Sequence, residues 1–338
     1  MRRRLRLALT AVLLTLGVLG RADAAEPREE TGFGSNPGNL RMFSYVPPGV
    51  APAGPLIVVL HGCKQRAATF ARDAGWLAVA DDAKLALLLP EQKGLPRYLH
   101  DVYVFPWAVA LFGANNQNAC FNWFEPGHTA RDRGEALSIR QMIEAMIARH
   151  SVDPSRVYIV GLSAGGAMTA AMLAAYPERF AGGAIVAGVP YGCADTVAKA
   201  LRCMKPGIDH APAEWRRHVR NSAAGDGRVP PITIWHGDTD DRVVSRNRQE
   251  LVEQWTAVHG ITGGPARHGS SGPVTRELYT DDAGVTLVES VLVKGLGHAF
   301  PIRTNGNSSC GEPGDFVAST EVCGAREISR FWGLIRGN

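Results

Sequence analysis

The chain has 338 residues, 45% of them hydrophobic, with 36 basic and 32 acidic residues and a formal net charge of +4. This length and composition allow a large buried core, arranged as one large domain or two small ones. Residues 1–24 hold five arginines and one aspartate, so the other 31 basic and 31 acidic residues balance, which excludes an overall electrostatic attraction to nucleic acid or an anionic membrane.

The first 24 residues have the pattern of an export signal. Four arginines between residues 2 and 6 precede an apolar run, Leu7–Leu19, and Ala22-Asp23-Ala24 then offers a cleavage site with small residues. The run is too short to span a bilayer comfortably, which favours a removed signal over a membrane anchor. The arginines leave the general secretory and twin-arginine routes both open. We expect a secreted or periplasmic protein in which residues 25–39 form an N-terminal extension.

Short apolar runs alternate with longer helical patterns along the rest of the chain. This alternation predicts an α/β fold with a mostly parallel central sheet and helices on both faces. The apolar runs predict strands at Pro55–Gly62, Leu85–Gln92, Arg156–Gly161, Ala181–Gly188, Pro231–Gly237 and Thr286–Gly295. The helical patterns lie at Gly134–His150, Arg246–His259 and Ala325–Leu334.

No internal repeat or low-complexity linker interrupts this alternation. We therefore expect one domain over residues 40–338. The segment Arg97–Thr129 differs from an ordinary connection because it is long, aromatic and rich in asparagine. It is expected to be an ordered excursion over the edge of the sheet or over the functional site.

The chain contains six cysteines and no C-x-x-C motif. An oxidising compartment favours disulfides over metal thiolates. Proximity along the chain suggests the pairs Cys193–Cys203 and Cys310–Cys323, which leaves Cys63 with Cys120. Six cysteines allow about 15 connectivities, and one or more free buried thiols are the alternative.

The sequence Gly161-Leu162-Ser163-Ala164-Gly165 fits the G-x-S-x-G motif between a predicted strand and a predicted helix. A serine there lies on a sharp, strained turn, and the flanking glycines avoid collisions with the neighbouring strand and helix. Its hydroxyl is then exposed at the carboxyl edge of the sheet, where the following helix supplies amide hydrogens for a developing oxyanion. The alternative is a chance match in a chain with 38 glycines.

A second amide for such an oxyanion is expected in the loop after the strand Pro55–Gly62. His61-Gly62-Cys63 lies at that point, and we predict that the N–H groups of Cys63 and Ala164 form the oxyanion hole. His61 precedes the serine, whereas the chain order of the catalytic residues in serine hydrolases with this motif on an α/β fold is serine, acid, histidine. We therefore predict that His61 holds the loop and is not the catalytic base.

The acid candidates lie together in "WHGDTDDRVV". Asp240 is positioned where a carboxylate can turn inward after the predicted strand, so we assign it as the catalytic acid. Asp238 is expected to cap amides of the turn, and Asp241 is expected to be exposed.

Three histidines after the serine are candidates for the catalytic base. His259 ends a predicted helix, and His268 lies in a segment rich in Gly and Ser that we expect to be a loop. His298 follows the last predicted strand in "KGLGHAFP", where small neighbours allow a loop to carry its ring over the sheet. We assign His298 as the base.

Five segments together resemble the secreted polyhydroxybutyrate (PHB) depolymerase family of esterases, which are α/β-hydrolases similar to feruloyl and acetylxylan esterases. The segments are "VLHGC", "NACFNWFEPG", "DPSRVYIVGLSAGGAM", "WHGDTDDRVV" and "GLGHAFP". The likeness extends from about Arg41 to Pro301, and "GLSAGGAM" with "CFNWFEPG" is its most specific part.

The resemblance implies an α/β-hydrolase fold with Ser163 as nucleophile, Asp240 as acid and His298 as base. It also implies Cys63 as oxyanion donor and supports its pairing with Cys120. Multidomain depolymerases carry a linker and a polymer-binding domain after the catalytic domain, whereas about forty residues follow His298 here. Tight adsorption to solid polymer is therefore not implied.

The substrate-binding candidates are the aromatic residues Trp107, Phe121 and Trp123 in the excursion. We place Trp123 beside the acyl pocket, although packing of these rings onto the domain is the alternative. A hydrophobic wall suits a butyrate repeat and a feruloyl ring equally well. No H-E-x-x-H motif or close His/Asp ligand cluster is evident in the sequence, so no metal or organic cofactor is expected.

Three functions are compatible with these features. The first is an exported serine esterase that cleaves 3-hydroxybutyrate polyester or its oligomers. The second is a feruloyl or acetylxylan esterase acting on plant cell-wall polysaccharide. The third is a catalytically silent binding protein of the same fold, which the complete set of Ser163, Asp240 and His298 disfavours. We expect a monomer whose partner is the ester substrate, with no nucleic-acid partner and no membrane association after signal removal.

Overall fold

The structure is a computed structural model that describes residues 26–100, 104–222, 228–306 and 309–336. The predicted export signal, residues 1–24, lies outside the described residues. The strands are β1 (Arg28–Glu30), β2 (Arg41–Tyr45), β3 (Gly54–Leu60), β4 (Ala86–Glu91), β5 (Val152–Leu162), β6 (Gly182–Val186), β7 (Ile232–Gly237), β8 (Arg267–Ser271), β9 (Val274–Thr280), β10 (Thr286–Val293), β11 (Phe300–Arg303) and β12 (Val317–Thr320). The helices are α1 (Ala67–Asp73), α2 (Trp76–Ala83), α3 (Pro106–Leu111), α4 (Pro126–Thr129), α5 (Gly134–His150), α6 (Ala164–Ala175), α7 (Val197–Met204), α8 (Pro212–Ser222), α9 (Arg246–His259) and α10 (Gly324–Phe331).

Ten of these strands form one sheet in the order β1-β2-β4-β3-β5-β6-β7-β10-β9-β8. The central run from β4 to β10 is parallel throughout. Both edges are antiparallel, since β2 pairs with β4 and β9 pairs with β10 in the opposite direction. The carboxyl ends of the parallel strands therefore meet at one edge of the sheet, where ligands bind in open α/β sheets.

Helices cover both faces of this sheet. Along β3, alternate residues divide between two buried clusters: Leu56 and Val58 face one side, and Ile57 and Val59 face the other. The first cluster also contains residues of α5, α6, α8 and α9, whereas the second contains residues of α1, α2 and α10. A strand buried on both faces is apolar without interruption, which explains the continuous run in β3.

The six strands predicted from apolar runs are all present, and α5 and α9 have the predicted limits. Strand β5 begins at Val152, earlier than predicted, and α10 covers Gly324–Phe331 where Ala325–Leu334 was expected. The expected loop around His268 is instead strand β8, which pairs with β9. All five residues of β8 are exposed, so no apolar alternation marks them as a strand.

The segment Arg97–Thr129 contains a short turn of helix at Arg97–Leu99 followed by α3 and α4. Its tip exposes large apolar side chains, among them Trp107 and Leu111. We call residues 97–129 the aromatic excursion. Its base is attached to the domain by a disulfide from Cys120 to Cys63, in the loop after β3.

All three expected disulfides are present: Cys63–Cys120, Cys193–Cys203 and Cys310–Cys323. The alternative of free thiols is thereby excluded, since no cysteine is left unpaired. Three disulfides are typical of proteins that fold in an oxidising compartment. Within the described residues, every helix is too short or too polar to cross a bilayer.

Candidate active site

Three side chains come together at the carboxyl edge of the sheet. Ser163 directly follows β5, Asp240 lies three residues after β7, and His298 lies five residues after β10. These strands are close in the sheet, where β6 separates β5 from β7 and β10 borders β7. Parallel strands thus bring together residues that are 58 and 135 positions apart in the chain.

Ser163 occupies a sharp turn between β5 and α6. Its backbone has φ of 57° and ψ of −119°, a conformation that side-chain-bearing residues rarely adopt. The turn is very tight, because a Cβ on Gly161 would lie 2.2 Å from the Gly165 carbonyl oxygen, and one on Gly165 would lie 2.3 Å from that of Leu60. The glycines of the motif are therefore required by close backbone approach, as the sequence predicted.

The hydroxyl, imidazole and carboxylate form a continuous hydrogen-bonded chain. Ser163 Oγ lies 2.8 Å from His298 Nε2, and His298 Nδ1 lies 2.7 Å from Asp240 Oδ2. A carboxylate only accepts hydrogen bonds, so His298 Nδ1 carries the proton and Nε2 is the free base that accepts from the Ser163 hydroxyl. A serine held in this way is the arrangement that generates a nucleophile.

The Asp240 carboxylate is buried and fully engaged. Its Oδ1 accepts hydrogen bonds from the amides of Arg242 at 3.0 Å and Val243 at 2.9 Å. Burial acts to raise the pKa of Asp240, but the hydrogen bonds from His236 and His298 outweigh it and hold this pKa well below its usual range. The Asp240 carboxylate is therefore ionised at neutral pH.

His236 is a second imidazole beside Asp240. Its Nε2 lies 2.7 Å from the Val243 carbonyl oxygen and 3.3 Å from Asp240 Oδ2, and its side chain is buried. A shared N–H at this position ties the carboxylate to the turn that carries it. The motif "WHGDTD" contains His236 four residues before Asp240, and that spacing is the signal in the sequence that indicates their contact.

The other acid and base candidates lie elsewhere. Asp238 Oδ1 accepts from the amide of Gly295 at 2.6 Å, in the segment after β10 and not in its own turn as expected, whereas Asp241 is exposed as expected. His259 is partly buried, and desolvation lowers its pKa to about 4 despite a hydrogen bond with the Pro230 backbone. His268 lies on the exposed edge strand β8.

His61 holds the loop after β3, as predicted. Its Nε2 accepts from the amide of Gln92 at 3.0 Å, so its Nδ1 carries a proton and donates to the Gly62 carbonyl at 2.7 Å. Complete burial lowers the pKa of this ring, which keeps it neutral. The ring is thus committed on both sides and is not free to act as a base.

The two amides expected to form the oxyanion hole lie next to the serine. A Cβ on Gly62 would be 3.4 Å from the Cβ of Ser163, so the loop that contains Cys63 lies close to Ser163. This loop is fixed by a hydrogen bond from the Gly62 amide to Gln65 and by the disulfide to Cys120. Within the described part of the chain, the amides of Cys63 and Ala164 donate to no protein acceptor, which leaves them available to a ligand.

The three aromatic candidates have different surroundings. Trp123 is partly buried, makes an edge contact with the ring of Phe124 and packs against the cluster that contains Ala167, one turn after Ser163. Trp107 is 67% exposed on the aromatic excursion. Phe121 has no exposed surface and packs 5.0 Å from the His61 ring, so its side chain belongs to the core and does not line the site.

Phe316 is an additional aromatic ring at the site. Its ring centroid lies 5.9 Å from that of His298 in an edge contact. The guanidinium carbon of Arg242 lies over the Phe316 ring, 5.2 Å from its centroid. The residue sits in the connection between β11 and β12, far from the motifs in the sequence. Nothing in the local sequence distinguishes it from a loop residue.

A buried carboxylate, Glu135, connects the aromatic excursion to the loop after β4. It accepts hydrogen bonds from the Asn122 amide at 2.9 Å and from the side chains of Asn122 and Gln92. Complete burial raises its pKa to about 8, and these hydrogen bonds only partly oppose the effect. Gln92 also donates its amide to His61, so Glu135 is linked through two residues to the loop beside Ser163.

One cluster of metal-ligand types lies away from the triad. His210, Glu214 and His218 place ligand atoms within 4.8 Å of one another. The expectation that no such cluster exists is therefore wrong. Successive members are four positions apart in the sequence. A helical conformation is needed to bring such residues to one face.

Comparisons with known proteins show which enzymes the chain is similar to. The sequence model of the esterase PHB depolymerase family matches residues 40–277. Poly(3-hydroxyalkanoate) depolymerase C of Paucimonas lemoignei is 42% identical over 305 residues, which are 90% of this chain and 69% of that protein. Feruloyl esterase B of Neurospora crassa is 33% identical over 288 residues, 82% of this chain and 89% of that protein. The enzymes to which the chain is similar are thus carboxylic-ester hydrolases.

A solved structure, acetyl xylan esterase from Aspergillus awamori, matches with a TM-score of 0.73 and 20% identity. The match covers 92% of this chain and all of that one. At this identity the likeness shows the fold alone. Together with the parallel central sheet and the strand-turn-helix at Ser163, it confirms the expected α/β-hydrolase fold.

Proposed function

The chain belongs to the esterase PHB depolymerase family and is a carboxylic-ester hydrolase, and on that premise we propose that it cleaves 3-hydroxybutyrate polyester or its oligomers with Ser163 as nucleophile. The observation that carries the mechanism is the 2.8 Å contact between Ser163 Oγ and the free nitrogen of His298. The polyester substrate is supported by the 42% identity with a poly(3-hydroxyalkanoate) depolymerase over 90% of the chain.

In the first half of the reaction, Ser163 attacks the ester carbonyl while its proton passes to His298 Nε2. Asp240 does not take this proton; it stabilises the imidazolium that forms and keeps the ring in the required tautomer. The tetrahedral oxyanion accepts hydrogen bonds from the amides of Cys63 and Ala164. One such donor contributes roughly 3 kcal/mol to transition-state stabilisation.

Collapse of the tetrahedral intermediate transfers the proton from His298 to the leaving alcohol and leaves an acyl group on Ser163. Water then enters, gives a proton to the same nitrogen and attacks the acyl carbonyl. A second collapse releases the hydroxy acid and restores the serine. No step needs a group other than these side chains, the two amides and water.

His236 is proposed as a positioning residue for the acid. It does not reach the reacting atoms, but its Nε2 lies between the Val243 carbonyl and Asp240 Oδ2. It thereby limits rotation of the carboxylate that orients His298.

The alternative substrate is a feruloyl or acetyl ester of plant cell-wall polysaccharide. The 33% identity with a feruloyl esterase supports it, as does the Phe316 ring beside His298, which suits a phenolic ring. The lower identity makes it the second candidate.

We propose that the protein acts outside the cytoplasm after removal of residues 1–24. Three disulfides are consistent with an oxidising compartment. Mass spectrometry of the mature N-terminus and assay of medium and periplasm test this proposal, which an intact residue 1 in both fractions would contradict.

The substrate is tested with the purified mature enzyme on three compounds: 3-hydroxybutyrate oligomers, methyl ferulate and acetylated xylan. We expect the highest kcat/KM for the oligomers, with release of soluble hydroxy acid. Ser163→Ala is expected to lose activity on all three by about 10⁶-fold, as removal of a triad nucleophile does. Preference for methyl ferulate with inert oligomers would replace the first substrate by the second, whereas activity retained by Ser163→Ala would overturn the mechanism.

A further inference from the structure

His210, Glu214 and His218 lie on one face of the polypeptide around the start of α8. Glu214 and His218 are four residues apart within the helix, and His210 lies two residues before its first residue, Pro212. Side chains four positions apart are stacked on successive turns of a helix. The three side chains therefore form a row that is independent of the triad.

The distances within this row are those of a site that needs only small rotations to close on an ion. His210 Nδ1 lies 3.2 Å from Glu214 Oε2, and the ligand atoms of all three residues fall within 4.8 Å of one another. Ligands bound to one Zn²⁺ at about 2.0–2.2 Å in tetrahedral geometry are about 3.3–3.5 Å apart. The first pair already has this spacing, and His218 has to approach by a rotation about its side-chain bonds.

Packing holds both imidazoles in place. The His210 ring makes an edge contact with Trp215, with centroids 4.7 Å apart. The His218 ring lies against the backbone of Gly192, where an added Cβ would come within 2.8 Å of it. Rings held from behind lose little further freedom on binding a ligand, which favours affinity.

The carboxylate of Glu214 has one oxygen for each neighbour. Arg217 Nη2 approaches Oε1 at 3.7 Å, and Oε2 faces His210. The His210 and Glu214 side chains are 30% and 37% exposed, so an ion in solution has access to them. The arginine weakens the negative charge of the site without occupying the oxygen that faces the imidazole.

We propose that His210, Glu214 and His218 bind Zn²⁺. Two imidazole nitrogens and one carboxylate oxygen suit zinc, whereas Ca²⁺ and Mg²⁺ require sets of oxygen ligands. Three protein ligands leave at least one position for water.

Zinc at this position would stabilise one wall of the protein and take no part in ester cleavage. Trp215, the residue between the ligands, is fully buried in a cluster with Ala167 of α6 and Val243 of the Asp240 turn. An ion bound by His210 and by the two ligands of α8 would hold the segment before α8 against the helix, on the outer side of Trp215. Binding to the folded form alone raises the unfolding temperature.

The site is tested on the whole mature protein after treatment with EDTA, by calorimetric titration and thermal unfolding with ZnCl₂ and with MgCl₂. We expect one zinc to bind and to raise the unfolding temperature, with no effect of magnesium. His218→Ala and Glu214→Gln are expected to weaken zinc binding by more than about tenfold, since even residues behind a metal ligand change affinity by about 10 to 100-fold. The control is His268→Ala, which removes an exposed histidine of β8 and is expected to bind zinc as the original protein does.

Three results would overturn the proposal. The first is that the original protein does not bind zinc. The second is that His218→Ala and Glu214→Gln bind zinc as tightly as the original protein does. The third is that the His268→Ala control loses zinc binding. Because a variant could fold poorly, Co²⁺ added to the original protein provides a second measurement. The intense visible absorption of tetrahedral cobalt, displaced by zinc, is expected. The triad does not enter this experiment, so its outcome is independent of the proposed function.

Discussion

The carboxyl edge of the sheet and the aromatic excursion are built in opposite ways. At the edge, Asp240 and His298 are nearly inaccessible to solvent, and the polar atoms of the triad are joined in hydrogen bonds of 2.7 to 2.8 Å. The tip of the excursion instead exposes Trp107 at 67% and Leu111 at 77% of their surfaces. The first region has one arrangement fixed by burial and hydrogen bonding, whereas the second has apolar surface that no described residue covers. Under the proposed function, the strand ends determine the reaction, and we expect the excursion to contact a large substrate.

The two regions are joined at the base of the excursion. Cys63 in the loop after β3 is bonded to Cys120, and Glu135 binds Asn122 of the excursion together with Gln92. A change at the base of the excursion can therefore reach the loop beside Ser163. The difference between the edge of the sheet and the excursion can be tested at three positions.

The largest expected effect is that of Asp240→Asn. An amide at this position favours the wrong imidazole tautomer, so kcat is expected to fall by about 10⁴-fold. The measurement is hydrolysis of a short-chain p-nitrophenyl ester at saturating substrate. Asp238→Asn is the matched control, because Asp238 lies in the same turn but caps the Gly295 amide. A near-normal kcat for Asp240→Asn would show that the edge does not work as a triad.

An intermediate effect is expected for Glu135→Gln, as a change in the pH dependence of stability. Burial raises the pKa of Glu135 from 4.5 in the unfolded chain to about 8. The folded protein keeps a proton there that the unfolded chain releases, so this group's contribution to the free energy of unfolding is full below pH 4.5 and falls as pH rises to about 8. Glutamine cannot ionise, so the fall in stability over this window is expected to be smaller in the variant.

Urea unfolding of both proteins at several pH values through that window measures the difference. Glu125→Gln removes an exposed carboxylate of the same segment that lies 3.8 Å from His128 and is expected to keep the original pH dependence. His128 Nδ1 also lies 3.5 Å from Glu135, so His128→Gln in the Glu135→Gln background is a further control. Identical pH profiles for Glu135→Gln and the original protein would rule out a buried, protonated Glu135.

The smallest expected effect on chemistry is that of Trp107→Ala. Removal of an exposed ring leaves kcat/KM for a soluble ester unchanged, while adsorption to 3-hydroxybutyrate polymer particles is expected to weaken by about tenfold, or about 1.4 kcal/mol. The contrasting variant is Trp123→Ala at the base, which is expected to change kcat/KM for the soluble ester because this ring packs near the first turn of α6. Unchanged adsorption after Trp107→Ala would show that Trp107 at the tip of the excursion does not contribute to polymer binding.

The centre of the sheet was predictable because burial on both faces leaves a clear trace. Strands such as β3 are uninterrupted apolar runs, and Ser163 is marked by glycines that the turn requires. The edge strands leave no such trace: β8 is polar and exposed throughout, and β9 is only partly buried. Their pairing is set by backbone hydrogen bonds and by the turn between them, which side-chain periodicity does not report.

The same physical difference applies to the site. The triad follows strands in a fixed order, so its members could be named from the sequence. Phe316 reaches His298 through tertiary packing of the connection after β11, and no motif marks it. Phe121 lies in the same short motif as Trp123, but Phe121 is fully buried in the core whereas Trp123 is only partly buried. Spacing along the chain does not reveal which of these two rings is buried in the core.

The backbone of Ser163 implies a conflict between durability and function. A residue with a side chain at φ of 57° and ψ of −119° stores strain of the order of 1–3 kcal/mol, and the surrounding sheet and helix α6 have to supply that amount. Glycine at this position would relieve the strain and lose the reactive oxygen. Under the proposed mechanism, a more heat-resistant form of this enzyme has to gain its stability elsewhere, because a relaxed turn at residue 163 would no longer present a hydroxyl to His298.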